Sequence, residues 1–271
     1  MADRNVAFVG NIPRTYDRYL GPVLFNPFAD DLAERVQVTA GMRLLETACG
    51  TGIVTRRLAD RLRGRGSIVA TDLNEAMVAH ARAEMPAGAG HVEWQPADAM
   101  KLPFPDGSFD AVVCQFGLMF FPDKAAGIRE AFRVLNPGGQ YLFNVWDTLA
   151  RNPIARIAHE TAGRLFPADP PMFYTIPYSL HDPEPIRKML TEAGFAQIEV
   201  TKLAKQGTSP SAADAAIGVI TGTPILGGIM ERGPDSLEAI RQATAAVVAA
   251  ELGDPPLRIP LNAFVFQARR P

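Results

Sequence analysis

Apolar and polar positions along this chain alternate between short apolar runs and longer amphipathic stretches. The clearest case is "MRLLETACGTG", Met42 to Gly52. An apolar run closes on Glu46, compact residues follow, and Gly50 and Gly52 bracket Thr51. From Ile53 the period becomes helical, with Ile53, Val54, Leu58 and Leu62 on one face. The pattern predicts a buried strand, a tight turn and a helix start. In an α/β sheet such a turn lies at the carboxyl edge, where ligands bind. Glycine suits it because the backbone must turn sharply, or approach a ligand closely, with no Cβ in the way.

The same reading extends along the chain. Residues 1–15 read as an irregular leader, and Tyr16 to Val38 as helical, with Pro22 and Pro27 expected to break it into pieces. Further strands are expected over Ser67 to Thr71, His91 to Gln95, Phe109 to Cys114, Gln140 to Trp146 and Phe195 to Lys202. Between them, Asn74 or Asp72 starts a helix carrying Met77, Val78 and Ala81, and another runs from Asp123 to Val134 until "NPGG" ends it. A helix of about 15 residues holds Ile154, Ile157, Ala158 and Leu165. A later helix starts near Pro183 and ends on Gly194 as its C′ residue. The Ala/Gly/Ile-rich stretch from Ser209 to Gly253 reads as two small helices joined by a mobile glycine segment, with a helix expected from Pro234 to Glu251. "LRIPLNAFVFQARR" then alternates as a last strand.

Spacing narrows the ligand. A dinucleotide fingerprint reads G-x-G-x-x-G, but here the pattern is E-x-x-x-G-x-G, with Thr55 where the third glycine would stand. That absence speaks against a nicotinamide dehydrogenase. A carboxylate beside the turn repels a pyrophosphate and suits a cation. Twenty residues beyond Gly52 a second apolar run ends in Asp72, placed to accept both hydroxyls of a ribose. Together these features point to a nucleoside without phosphates.

Four segments, "LLETACGTG", "ATDLNEAMV", "PADAMKLPFPDGSFDAVVCQFGLMFF" and "REAFRVLNPGGQYLF", stand in an order and spacing that resemble the class I S-adenosylmethionine-dependent methyltransferases. The resemblance is to the small-molecule group that includes the ubiquinone/menaquinone-biosynthesis type, and it runs from about Val38 to Val145. It implies an α/β, Rossmann-like sheet of seven strands, mostly parallel with strand seven antiparallel, helices on both faces and a helical cap. The implied layout is one methyltransferase domain over 1–271. Within it lie an N-terminal helical cover (16–38), a cofactor-binding core (38–146), a cap insertion (147–182), a return to the core (183–202), a helical insertion (209–253) and the last strand (257–269).

The resemblance also implies S-adenosyl-L-methionine as cofactor, with S-adenosyl-L-homocysteine as product. The implied contacts are Glu46, Cys49, Gly50 and Gly52 at the turn, Asp72 and Leu73 after strand two, and Gln115 at the end of strand four. Asp98 would accept the adenine amino group, with the Ala99 amide near a ring nitrogen. Met77 would lie near the adenine, or simply pack between helix and sheet. Tyr19 would reach the methionine carboxylate, with Arg14 or Arg18 as alternatives. Many relatives carry a histidine near Phe120; here "GLMFFPD" has none. Phe166, Phe173, Tyr174 and Tyr178 in the cap would enclose an apolar or aromatic acceptor, or pack an accessory helix on the sheet.

Composition adds exclusions. Lys and Arg number 27 against 29 Asp and Glu, a formal net charge of -2, so no basic field gathers nucleic acid. Cys49 and Cys114 suggest neither a disulfide framework nor a zinc site, and fit a reducing cytoplasmic setting. No secretory signal and no apolar run of roughly eighteen residues is seen, so no integral membrane segment is expected. A small-molecule acceptor is the expected partner, with a homodimer contact open.

Methyl transfer from a sulfonium is an in-line displacement, for which positioning in a water-poor pocket supplies much of the catalysis. A phenol, or a carbon beside one, gains from a general base. The base candidates are His159, in the cap, and His181, in "SLHDP"; Asp147 or a tyrosine ranks lower. His80 and His91 read as structural. No metal-ligand spacing occurs. O- or C-methylation of a hydrophobic or aromatic small molecule is the expected reaction. N-methylation of an amine or lipid headgroup, or a non-catalytic cofactor-binding scaffold, stands as the alternative.

Overall fold

In chain order, the computed structural model begins with α1 (Ile12–Thr15), a π-helical stretch (Tyr16–Phe25) and α2 (Asn26–Arg35). β1 (Met42–Thr47), α3 (Ile53–Leu62), β2 (Gly66–Asp72), α4 (Glu75–Ala83), β3 (His91–Pro96) and β4 (Phe109–Gln115) then alternate. α5 (Lys124–Val134) runs straight into β5 (Leu135–Trp146); α6 (Pro153–Leu165) and α7 (Pro183–Glu192) precede β6 (Ala196–Ser209). α8 (Ala212–Thr221), α9 (Ile225–Arg232) and α10 (Leu237–Leu252) lead to β7 (Leu257–Arg269). The structure describes residues 12–88, 90–253 and 255–271, so most of the leader expected over 1–15 lies outside the described residues.

Among the described residues the strands form one seven-stranded sheet in the order β3-β2-β1-β4-β5-β7-β6. The pairs β1–β2, β2–β3, β1–β4 and β4–β5 are parallel, and β5–β7 is antiparallel, as the resemblance implies. The order reverses at β1, with β2 on one side and β4 on the other. That makes the β1/β4 carboxyl edge the switch point at which α/β sheets take ligands. β1 and β4 are buried along almost their whole length, as parallel strands covered on both faces are.

The chain divides into two units. One comprises Phe28–Trp146, Leu180–Leu203 and Ala263–Pro271, and holds most of the sheet. Its core stacks Phe143 on Phe266, and Tyr141 on Phe195, with ring centroids 4.8 and 5.4 Å apart. α7 ends as expected: Gly194 lies at φ +101°, its N–H donates to Thr191 O, and the Phe195 N–H donates to Leu190 O. The other unit comprises the described residues 12–27, Asp147–Ser179 and Ala204–Asn262. There α6, α8 and α10 pack together, burying Ile154, Ile157, Ala216, Val219, Ile240 and Val248. Among the described residues no single helix is long and apolar enough to cross a membrane; α8 and α9 reach that hydropathy only jointly, bent by 80°.

Several local expectations are corrected. Pro22 and Pro27 do not split the first helical region. Pro22 has no N–H and its ring crowds the preceding turn. The wider π turn absorbs this, with the Asn26 N–H donating to Gly21 O five residues back. Pro27 falls in the first turn of α2, where a missing N–H matters least. "NPGG" lies inside β5 as a bulge: Leu135 pairs with Phe109, and the register resumes at Gln140 opposite Ala111. Asp110 pins that bulge, accepting the Asn136 side-chain N–H at 2.9 Å and the Arg43 N–H at 2.8 Å. The Arg270 guanidinium donates to Phe132 O, Arg133 O and Leu135 O, satisfying carbonyls that α5 leaves open.

β6 continues past Lys202 to Ser209. Gly207 looks like a breaker in sequence, but a Cβ there would sit 1.9 Å from Val23 O, so it serves a close backbone approach. The 209–253 stretch holds α8, α9 and α10, the last of them over most of the span expected from Pro234 to Glu251. Leu165, expected with the buried face of its helix, is the last residue of α6 and is exposed.

Candidate functional site

The turn after β1 is held by its own backbone and by β2. The Cys49 N–H donates to Thr71 O at 2.9 Å, and the Gly52 N–H donates to Cys49 O at 2.9 Å. Gly50 and Gly52 both take positive φ, +55° and +77°, for different reasons. A Cβ on Gly50 would meet nothing within 4 Å, so it borders open space. One on Gly52 would lie 3.1 Å from both Ala81 and Trp94. Gly52 lets α3 pack close; Gly50 leaves room beside the turn.

Glu46, near the end of β1, is 1% exposed. The Thr55 hydroxyl, on the first turn of α3, donates to its Oε2 at 2.6 Å. Burial pushes this carboxyl from the usual range up to about 8, against the Thr55 hydrogen bond and the attraction of Arg56, while the charge of Asp72 adds to the rise. Thr55 occupies the place of the missing third glycine, and that substitution was the available sequence signal for its role.

Asp72 closes β2. Its Oδ2 accepts the Gly50 N–H and its Oδ1 the Asn74 N–H, both at 2.9 Å, and its backbone oxygen accepts the Ala97 N–H at 3.0 Å. The β1 turn, the β2 end and the loop after β3 therefore converge on one residue. Burial raises its pKa, opposed by the N–H groups of Asn74 and Gly50. Asn74 caps α4, accepting from Ala76 and Met77. Leu73 is 74% exposed, an apolar side chain facing water beside this carboxylate. Met77, on α4, is buried. Asp98 and Ala99 are half-buried; Asp98 Oδ1 accepts the Met100 N–H at 2.8 Å, leaving Oδ2 for another donor.

Gln115 ends β4 and is half-buried. After it the backbone is strained: Phe116 has φ +49°, beside Ala48 at φ +52° on the neighbouring strand end. Asn144 on β5 holds Phe116, whose ring stacks on Trp146 at 3.8 Å. Neither Ala48, Gly117 nor Asn144 was singled out in the sequence, because their roles depend on neighbours far along the chain. Cys49 and Cys114 are buried free thiols. Burial and nearby carboxylates raise the first well above its usual value; burial raises the second to about 11. Neither is a thiolate at neutral pH.

The remaining predicted residues stand on other elements. Tyr19 is half-buried in the helical unit, with Arg18 5.1 Å over its ring. His159 is in that unit too, on α6, with Nδ1 buried and, among the described residues, without a hydrogen-bond partner. His181 is exposed in the loop before α7. Phe173, Tyr174 and Tyr178 are buried, and the Tyr174 hydroxyl donates to Val219 O at 2.6 Å, so these rings fill the interior of their own unit. Among the described residues no three His, Cys, Asp or Glu side chains gather as a metal site.

The residues of the β1/β2/β3 ends fit a cationic nucleoside. Asp72 and Asp98 offer carboxylate oxygens, Leu73 an apolar face, Gly50 open space and Glu46 a buried carboxyl. Comparison with known proteins gives the same direction. Residues 44–139 match the family model described as a methyltransferase domain. The chain is 32% identical over 178 residues to the ubiquinone/menaquinone biosynthesis C-methyltransferase UbiE of Proteus mirabilis, spanning 61% of this chain and 71% of that one. Among solved structures it is similar to the Haemonchus contortus phosphoethanolamine N-methyltransferase 2 (TM-score 0.59, 20% identity, 96% of this chain and 57% of that one). It is likewise similar to the YcgJ protein of Bacillus subtilis (TM-score 0.58, 18% identity, 90% and 98%). These two likenesses concern the fold.

Proposed function

The chain belongs to the class I S-adenosylmethionine-dependent methyltransferases, among the relatives of the ubiquinone/menaquinone C-methyltransferases, and we propose that it methylates oxygen or carbon of a hydrophobic or aromatic small molecule. Its action as an S-adenosylmethionine-dependent enzyme on a small molecule follows from that membership. The observation that carries the site assignment is the convergence on Asp72 of the Gly50 and Asn74 N–H groups at 2.9 Å, beside exposed Leu73.

When bound, S-adenosylmethionine supplies a methyl group already activated as a sulfonium. The protein's task is to hold and orient. Asp72 receives ribose hydroxyls on the lone pairs its two backbone donors leave free. Asp98, fixed by the Met100 N–H, presents its other oxygen to an amino group, with the Ala99 amide beside it. Leu73 covers one face of a base, and Gln115 stands at the β4 end toward the acceptor. Glu46 supplies the negative charge a cation needs. The apolar sequence after Gln115 and the C-methyltransferase name of the Proteus relative support a carbon or oxygen acceptor over an amine.

His159 is the proposed general base, supported by a buried Nδ1 that has no hydrogen-bond partner among the described residues. His181 is the weaker candidate, exposed in a loop beside the α7 cap residue Asp182.

Calorimetric titration with S-adenosylmethionine and S-adenosylhomocysteine, beside NADH, tests the cofactor site. The expected result is binding of the first two alone, lost in Asp72→Ala. Screening of phenols, quinols and amines with the loaded protein then tests the acceptor class, and turnover of amines alone would reverse it.

A further inference from the structure

Glu46 is a buried acid without a strong partner. It is 1% exposed, and among the described residues Thr55 donates the one hydrogen bond to its side chain and no cation is paired with it. The charged and titratable groups around it can be named element by element. α3 brings Thr55 and Arg56, whose guanidinium donates to Thr51 O; β2 brings Asp72; the turn brings Cys49; β4 brings Cys114. One cation acts on Glu46 from a distance, one carboxylate opposes it, and the two thiols are neutral. A carboxylate so placed has lost hydration without gaining an ion pair, the situation in which a proton is the cheapest counter-charge.

We propose that Glu46 carries a proton in the free protein and releases it when a cationic nucleoside binds, so that cofactor capture at this site is an exchange of one proton for one ligand charge. Atoms balance simply: the carboxyl O–H breaks, the proton leaves to solvent, and the carboxylate left behind, still hydrogen-bonded by Thr55, faces the ligand's cation. The exchange rests on the cofactor reading given above. It deepens that reading by making affinity depend on both the ligand's charge and the pH. With the carboxyl raised to about 8, affinity for a cation rises about tenfold per pH unit through slightly acidic pH and flattens above about pH 8. An uncharged nucleoside shows no such slope. The device favours a charged nucleoside over a neutral one without any added contact.

The test is calorimetry at about pH 6.5 in buffers of different ionisation enthalpy, which counts protons released on binding. S-adenosylmethionine is expected to release close to one proton from the wild-type protein, and adenosine none. Glu46→Gln should abolish the release and flatten the pH slope. Binding of S-adenosylmethionine to the wild type without proton release, or equal release from Glu46→Gln, would overturn the exchange while leaving the cofactor assignment intact. Absence of any binding by folded protein would instead overturn the cofactor assignment, and the exchange with it.

Discussion

Asn144 and Phe116 are clamped together across β4 and β5. The Asn144 side-chain oxygen accepts the Phe116 N–H at 2.9 Å, its backbone oxygen accepts the same group at 3.3 Å, and Phe116 is held at φ +49°. A left-handed backbone costs a non-glycine residue about 1–2 kcal/mol, so something must hold it. Asn144, 0% exposed and with Nδ2 unpartnered among the described residues, is that holder. Asn144→Ala is expected to lower stability by about 1–3 kcal/mol, read as a shift of the urea midpoint. Phe116→Gly should also destabilise, because relief of about 1 kcal/mol is outweighed by roughly 3–5 kcal/mol of lost ring burial. A more stable Phe116→Gly protein would show that the stack on Trp146 contributes little.

Gly117 and Gly50 should respond to alanine in different ways. A Cβ on Gly117 would lie 2.5 Å from the Ala48 Cβ and 2.7 Å from the Cys114 sulfur, forcing the turn after β1 to move. Gly117→Ala is expected to destabilise by about 1–3 kcal/mol and to weaken S-adenosylhomocysteine binding at least about tenfold. Gly50→Ala meets no atom, only the penalty of φ +55°, so its stability loss should be smaller, about 1 kcal/mol. Thermal melts and ligand titration of both variants check the order; equal stability losses would contradict it.

Glu46 makes the free protein's stability pH-dependent. A carboxyl raised to about 8 in the folded state keeps its proton while the unfolded chain gives its own up near 4.5, so the folded state binds more protons between those values. Stability at this site is full below the unfolded value and falls as pH rises, levelling off above about 8, with a total on the order of 5 kcal/mol at most. Urea unfolding of wild type and Glu46→Gln at three pH values measures it. The variant's advantage should widen from acid to neutral pH and stay constant above about 8. A gap independent of pH would place Glu46 as an ordinary carboxylate.

Arg133 secures the loop that follows Asp98. It donates to Leu102 O, Phe104 O, Asp106 and Glu130, and Glu130 in turn accepts the Leu102 N–H at 2.7 Å. The Arg133 hydrogen bond is also the main reason the Glu130 carboxyl is held below its usual value. Arg133→Met should cost about 2 kcal/mol of stability and weaken nucleoside binding about three- to tenfold. Unchanged affinity in a destabilised variant would mean that Asp98 is positioned independently of the loop.

The legible parts of this chain were those that depend on near neighbours. β1, the glycine turn and α3 follow from residues within about three turns of one another, and Asn74 caps α4 through bonds to Ala76 and Met77. Asp72 was visible as the acid ending an apolar run, though its grip on Gly50, 22 residues away, was not. Pairings such as Asn144 with Phe116, or Asp110 with Asn136, span 28 and 26 residues and leave no local trace. The same holds for "NPGG", whose turn chemistry is real but is used as a bulge within a strand because Asp110 pins it. The buried cap aromatics show a related limit. Composition identified them as apolar, while their contacts, such as Tyr174 with Val219, decide what they cover.

β7 lies between β5 and β6 in the sheet although it follows both in the chain. A growing polypeptide must therefore make both flanking strands and wait, with their hydrogen-bonding edges uncovered, until the segment that joins them has been synthesised. Such edges invite pairing with other chains. For this protein, the interval between the emergence of β6 and that of β7 is therefore a stage of synthesis at which both strands stand without the partner that later separates them.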